Sequence, residues 1–196
     1  MRLKRFFEKG KIEVGCDEAG RGCLAGPVVA AAVIINPNKR HPLLNDSKQI
    51  SEKNRELLRT WIKSNCIAWA IGIVDNIKID EINILNASFL AMHKAIDKIN
   101  INYDHLLIDG NRFNVYKNKT HYCIIKGDAK YQSIAAASIL AKTERDRIMH
   151  QLNREHPGYG WNKNMGYPTK SHRNAISTLG TTPYHRNSFK LLASPK

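Results

Sequence analysis

The sequence predicts an α/β fold, a mixed β-sheet flanked by helices with a helical extension at the C-terminal end, and three observations carry that prediction. Short apolar runs without helical period, residues 28–35 and 68–74 above all, have the length and β-branched content of strands. Longer segments place apolar residues at helical spacing, as Leu57, Leu58, Trp61 and Ile62 do, and as Ile84, Leu85, Phe89, Met92, Ile96 and Ile99 do. The first two strands are joined by a short connection, whereas strands and helices alternate later, so an antiparallel pair should open an otherwise α/β sheet. With 196 residues there is enough chain for one sizeable core and a small appendage. A single domain spanning 1–196 is expected, with 156–196 packed on it as the extension.

Taken in order, residues 12–16 form a first strand ending at Asp17 and Glu18, and 28–35 form a second that is apolar throughout. Between them AGRGCLAGP, residues 19–27, has three glycines and a proline, so its backbone can approach a ligand closely. Ser51 is placed to cap the first helix, with Glu52 in its first turn. Residues 68–74 return to strand, and Asp75 or Asp80 caps the second helix. A buried strand at 106–108 ends at Asp109, another covers 122–125, and a helix covers 133–152. The tail from His156 on is rich in Gly, Pro, Tyr and basic residues, with one short helix near 169–179, and is expected to wrap as a lid or side wall.

Lys and Arg total 31 against 17 Asp and Glu, a net charge of +14. Such an excess favours a polyanionic partner. An anionic membrane is the weaker reading, because no stretch reads as a basic amphipathic anchor. The longest apolar run, 24–35, is broken by Gly26 and Pro27 and is too short to span a bilayer, and the N-terminal charges are followed by no secretory apolar segment. A cytoplasmic protein is expected. Cys16, Cys23, Cys66 and Cys123 form no C-x-x-C pair, so reduced and mostly buried thiols are expected.

Four carboxylates stand at strand ends, where sheet enzymes collect ligands: Asp17 and Glu18, Asp109, and Asp128 shortly after a third strand. Each alone reads as a cap or a surface charge. Brought together they repel unless neutralised, and the common neutraliser of hard oxygen donors is Mg²⁺ or Mn²⁺. Two such ions about 3.5–4 Å apart activate water and stabilise the leaving oxygen of a phosphodiester. A metal-dependent phosphodiester hydrolase follows.

The loop adds a resemblance. VGCDEAGRGCLAGPVVAAAVI (14–34) resembles the signature of ribonuclease HII, the type 2 ribonuclease H family, and DSKQIS (46–51), LIDG (107–110), KGDAKYQSIAAASILAKTERDR (126–147), GYPTKSH (166–172) and HRNSF (185–189) follow in the family's order. The resemblance implies a ribonuclease H-like fold. It also implies two-metal hydrolysis of the RNA strand of RNA/DNA hybrids and of the phosphodiester 5′ to a ribonucleotide embedded in DNA, leaving a 3′-hydroxyl and a 5′-phosphate. Asp17, Glu18, Asp109 and Asp128 fall on the family's metal-binding carboxylates. Asp146 is the rival for the fourth place, set against helical pairing with Arg145 or Lys142. Gly20, Arg21 and Gly22 match the motif whose backbone contacts the ribose 2′-hydroxyl, the group that separates RNA from DNA. Tyr167 matches the tyrosine that stacks on the next deoxyribose. Lys48, Lys142, Arg145, His172, His185 and Arg186 are candidates for phosphate contacts. A monomer is expected. The alternative is a non-catalytic basic nucleic-acid-binding protein, which would leave the carboxylates unexplained.

Overall fold

The computed structural model describes residues 3–44 and 50–192. Five strands form one mixed sheet: β1 (Glu13–Ala19), β2 (Val28–Ile34), β3 (Ala68–Val74), β4 (His105–Asp109) and β5 (His121–Ile124). Their order across the sheet is β3-β2-β1-β4-β5. β2 pairs antiparallel with both β1 and β3, whereas β1, β4 and β5 run parallel. The ribonuclease H-like α/β architecture expected from the sequence is therefore present, antiparallel opening included.

Side chains of β2 alternate between two cores, which is why every residue of that strand is buried. Val28, Ala30, Ala32 and Ile34 pack with Ala91, Met92, Ala95 and Ile96 of α2 (Asn76–Ile96), while Ala31 and Val33 face Leu58 and Ile62 of α1 (Glu52–Asn65) and Ala136, Ala137 and Leu140 of α3 (Gln132–Glu155). The alanine-rich start of α3 lets its backbone lie close over β1, and this contact brings helix side chains to the strand's carboxyl end.

Ser51 caps α1 and Asp75 caps α2, each accepting from a backbone N–H of the first turn. α2 is interrupted at Asn83, whose φ of 66° and ψ of 163° leave the helical region, and its side chain recaps the chain by accepting from the amides of Leu85 and Asn86. Asp80, weighed as a cap, instead accepts from Asn187 N–H, Ser188 N–H and the Ser188 hydroxyl, tying the tail to the helix.

Two other departures from the sequence reading share one cause, pairing partners distant in sequence. β1 extends through Asp17 and Glu18 because Ala31 and Ala30 of β2 pair with them, so both carboxylates lie in the strand and not just past it. His105, one residue before the strand read at 106–108, opens β4 and contacts the buried Glu13 carboxylate at 3.2 Å. A 3₁₀ turn at Gly127–Ala129 and the short helix α4 (Trp161–Asn164) were not anticipated, whereas α5 (Lys170–Leu179), capped by Thr169, was. Cys16 and Cys23 are buried as expected, but Cys123 is exposed. The extension seals a third core in which Leu24 and Ala25 meet Met149, Leu152, Tyr159, Trp161 and Ile176. Among the described residues no helix is long and apolar enough to cross a membrane.

Candidate active site

Register fixes the centre of the site. Cys16 of β1 pairs with Ile108 of the parallel neighbour β4, so Asp17 and Asp109 stand side by side one residue further on, at the carboxyl ends of two adjacent strands. Asp17 is only 5% exposed; its Oδ1 accepts from the Glu18 amide at 2.7 Å, and the Ser138 hydroxyl of α3 bonds to its carboxylate. Asp109 accepts from the Gly127 amide at 2.6 Å. Glu18, on the opposite side of the strand, meets Arg21 Nη1 at 3.1 Å.

Burial, followed by the negative charges of Glu18 and Asp109, pushes the Asp17 carboxyl well above the usual carboxylate range. Burial also raises Glu18, against the opposing pull of Arg21. These carboxylates share a cleft of about 370 Å³ with Arg21, Lys142 and Tyr167, and Arg55 and Ser138 complete its wall. An apolar cavity of about 280 Å³ beside Ile12, Ile34 and Ile67 touches none of Asp17, Glu18 and Asp109, so the chemistry belongs to the first cleft. Oxygen donors, partly desolvated and mutually repelling, suit a hard divalent cation. Among the described residues, however, no three His, Cys, Asp or Glu side chains already stand as a closed cage for one. Glu18 spends Oε1 on Arg21 and lines the same cleft as Asp17 and Asp109.

Asp128 lies in the 3₁₀ turn, 3% exposed, one residue from the amide that holds Asp109, and does not line the cleft. Asp146 is engaged by Lys142 at 2.7 Å, an i,i+4 pair on α3. Lys142 lines the cleft, with its Nζ 6.0 Å from the Tyr167 ring centroid, and Tyr167 is 41% exposed. Lys48 lies outside the described residues.

His185, Arg186, Arg145 and His172, read as phosphate contacts, are all buried, and the structure gives their polar atoms other work. Arg145 donates from Nε to Pro27 O, from Nη1 to Met165 O and from Nη2 to Ala25 O, at 2.8–3.0 Å. Arg186 donates from Nε to Gly26 O, from Nη1 to Arg21 O and from Nη2 to Gly20 O, at 2.7–3.0 Å. His185 Nδ1 accepts from the Thr182 amide, so the neutral ring carries its proton on Nε2, facing His172 Nε2 at 3.3 Å. The latter atom also accepts from Trp161 Nε1, leaving His172 Nδ1 to donate to Tyr167 O at 2.9 Å. Burial depresses both histidines, His185 to about 4.

The glycines of the loop differ in kind. Gly20 has φ +97°, and a Cβ there would collide with the Arg145 guanidinium; Gly22 lies outside the left-handed region, and a Cβ there would meet nothing within 4 Å. Gly20 is needed by the fold, while Gly22 faces open space.

Arg55 and Ser138 are the residues sequence reasoning passed over. Ser138 had a signal, since Ser138, Lys142 and Asp146 recur every four residues and so share one face of a helix. Arg55 had none, because only the packing of α1 turns it toward the strand ends.

Comparison with known proteins gives the family and the fold. The family model described as Ribonuclease HII matches residues 14–192. A protein of Bacteroides thetaiotaomicron named Ribonuclease HII is 61% identical over 190 residues, 97% of this chain and 95% of its own length. One of Phocaeicola vulgatus with the same name is 59% identical over 192 residues, 98% of this chain and 96% of its own. Among solved structures, the ribonuclease H2 from Pyrococcus horikoshii OT3 superposes with a TM-score of 0.76 at 25% identity, covering 91% of this chain and 94% of that one. A carboxylate pair at adjacent parallel strand ends, a glycine loop beside it and a match from Val14 to the last described residue lead to one conclusion: the chain is a ribonuclease and belongs to the ribonuclease HII family.

Proposed function

We propose that the chain, acting as a monomer, hydrolyses the RNA strand of RNA/DNA hybrids and cuts 5′ of ribonucleotides embedded in duplex DNA, leaving a 3′-hydroxyl and a 5′-phosphate. The observation that carries this reading is the adjacency of Asp17 and Asp109 in one cleft with Glu18, alongside a loop whose Gly22 offers bare backbone to a ligand.

Asp17, Glu18 and Asp109 are the proposed ligands of Mg²⁺ or Mn²⁺, with Asp128 completing a second position. The ions, when bound, supply charge neutralisation and Lewis acidity at the scissile phosphate. Ser138 fixes the rotamer of Asp17, and the Gly127 amide fixes that of Asp109, so both carboxylates are oriented before an ion arrives. The Gly20-Arg21-Gly22 backbone reads the ribose 2′-hydroxyl. Tyr167, held through its carbonyl by His172, presents its exposed ring to the neighbouring sugar. Lys142 and Lys48 contribute phosphate affinity that falls with salt. Arg145, His172, His185 and Arg186 act behind this surface and do not touch phosphate.

A duplex carrying one ribonucleotide tests the reading. Incision on its 5′ side with Mg²⁺ or Mn²⁺, and an intact all-DNA duplex, is the expected result; equal cutting of both duplexes, or binding with no cutting, would sink it.

A further inference from the structure

Across the loop from Gly20 to Pro27, Arg186 takes the carbonyls of Gly20, Arg21 and Gly26 through its side chain and that of Leu24 through its amide, and Arg145 takes those of Ala25 and Pro27. Only Gly22 and Cys23, at the middle of the loop, give their carbonyls to neither arginine. Both guanidinium groups are at most 1% exposed, and each spends three nitrogens on three different carbonyls. Burying a cation costs several kcal/mol unless its donors are satisfied, and a planar fork with fixed donor directions satisfies them only if the carbonyls stay in place. The charge thus enforces the loop geometry.

The third Arg145 bond leaves the loop. Nη1 holds Met165 O, and the Leu24 amide donates to Gly166 O at 2.7 Å, so the segment leading into Tyr167 is fastened to the same frame. Gly26 donates to Tyr184 O, one residue before His185, and His185 and His172 close the circuit at Tyr167 O. Two parts of the surface, the loop and the tyrosine, are linked through the side chains of Arg145, Arg186, His172 and His185, all four of them buried.

We propose that Arg145 and Arg186 are positioning residues that fuse the glycine loop and Tyr167 into one rigid ribose-reading unit, so that discrimination between ribonucleotide and deoxyribonucleotide depends on two arginines that never touch the substrate. This rests on the proposed reading of the 2′-hydroxyl by the loop. A loop free to shift by about 1 Å would lose on the order of a hundredfold in the oriented contact while keeping its phosphate contacts. Lysine cannot substitute, because one ammonium cannot reach three divergent carbonyls.

The test is binding without added metal, where nothing is cut, of Arg145→Lys and Arg186→Lys to two fluorescent duplexes, one all-DNA and one with a single ribonucleotide. The preference for the ribonucleotide duplex should fall at least roughly tenfold, with all-DNA affinity changed by less than about twofold; loss of folded protein would instead lower both affinities together. Lysine variants that retain the wild-type preference overturn the proposal. Wild-type protein with no preference overturns the underlying reading of the loop, a distinguishable result. Should the variants not fold, the native clamp is tested through Gly22→Ala, Tyr167→Ala and their combination. A shared frame predicts a combined loss of preference at least threefold smaller than the product of the single losses, roughly 0.7 kcal/mol of coupling; a simple product overturns it.

Discussion

Gly22→Ala separates a backbone that reads substrate from one that merely turns. At this position φ lies outside the left-handed region and the added Cβ meets no protein atom within 4 Å, so the fold should accept the methyl. Stability should rise by roughly 0.4–1 kcal/mol through the reduced freedom of the unfolded chain. Activity should move the other way. In the proposed reading the sugar hydroxyl approaches this exposed backbone, so the methyl would block it, and loss of one such contact is worth about 1–3 kcal/mol, or roughly a 5- to 150-fold fall in kcat/KM. Gly20→Ala is the contrasting control. There φ is +97° and the Cβ strikes Arg145, so the melting temperature should drop together with activity. Thermal melts and steady-state cleavage of a duplex with one embedded ribonucleotide measure both quantities. A Gly22→Ala protein with wild-type kcat/KM, or one that melts below wild type, would refute the reasoning.

Asp109→Asn should abolish turnover while leaving duplex affinity within a few-fold, because the amide oxygen can still accept from Gly127 N–H but carries no charge for a cation; retained turnover would reject the assignment. Ser138→Ala should raise the Mg²⁺ or Mn²⁺ concentration needed for half-maximal activity, with kcat largely restored at saturating metal, since the substitution frees the rotamer of Asp17 and removes no ligand; an unchanged metal titration would count against that role. For the histidine network the sign follows from depression of a basic group. Folded His185 titrates near 4 whereas an ordinary histidine titrates near 6.5, so between those values the unfolded chain holds more protons, and stability that is complete above pH 6.5 is lost as pH falls toward 4. The contribution of His185 to the slope should be at most about 1.4 kcal/mol per pH unit, and His172, depressed by the same burial, adds to it. Denaturant melts from pH 7 to 4.5 measure it, and a His185→Gln variant should show a flatter profile.

Local chemistry along the chain was enough to identify most elements. Short apolar runs and helical spacing reveal the strands and long helices, Ser51, Asp75 and Thr169 act as the caps their side chains allow, and the carboxylates announce themselves at strand ends. Short elements such as α4 escaped because four residues carry too little periodicity to register.

What the sequence by itself determined is the chemistry: an acidic set beside a glycine loop in a basic chain, in an order that resembles one family along nearly its whole length. The tertiary structure alone decided which carboxylates meet and what the buried cations do. Pairing of β1 with β4 brings Asp17 beside Asp109 across more than ninety intervening residues, and the turn after β5 sets Asp128 one residue from the amide that holds Asp109. Arg145, His172, His185 and Arg186 look in the sequence like any basic residues near phosphate. Only packing shows them sealed from solvent, because a side chain's partner is fixed by what the fold brings opposite it and leaves no mark on its neighbours along the chain.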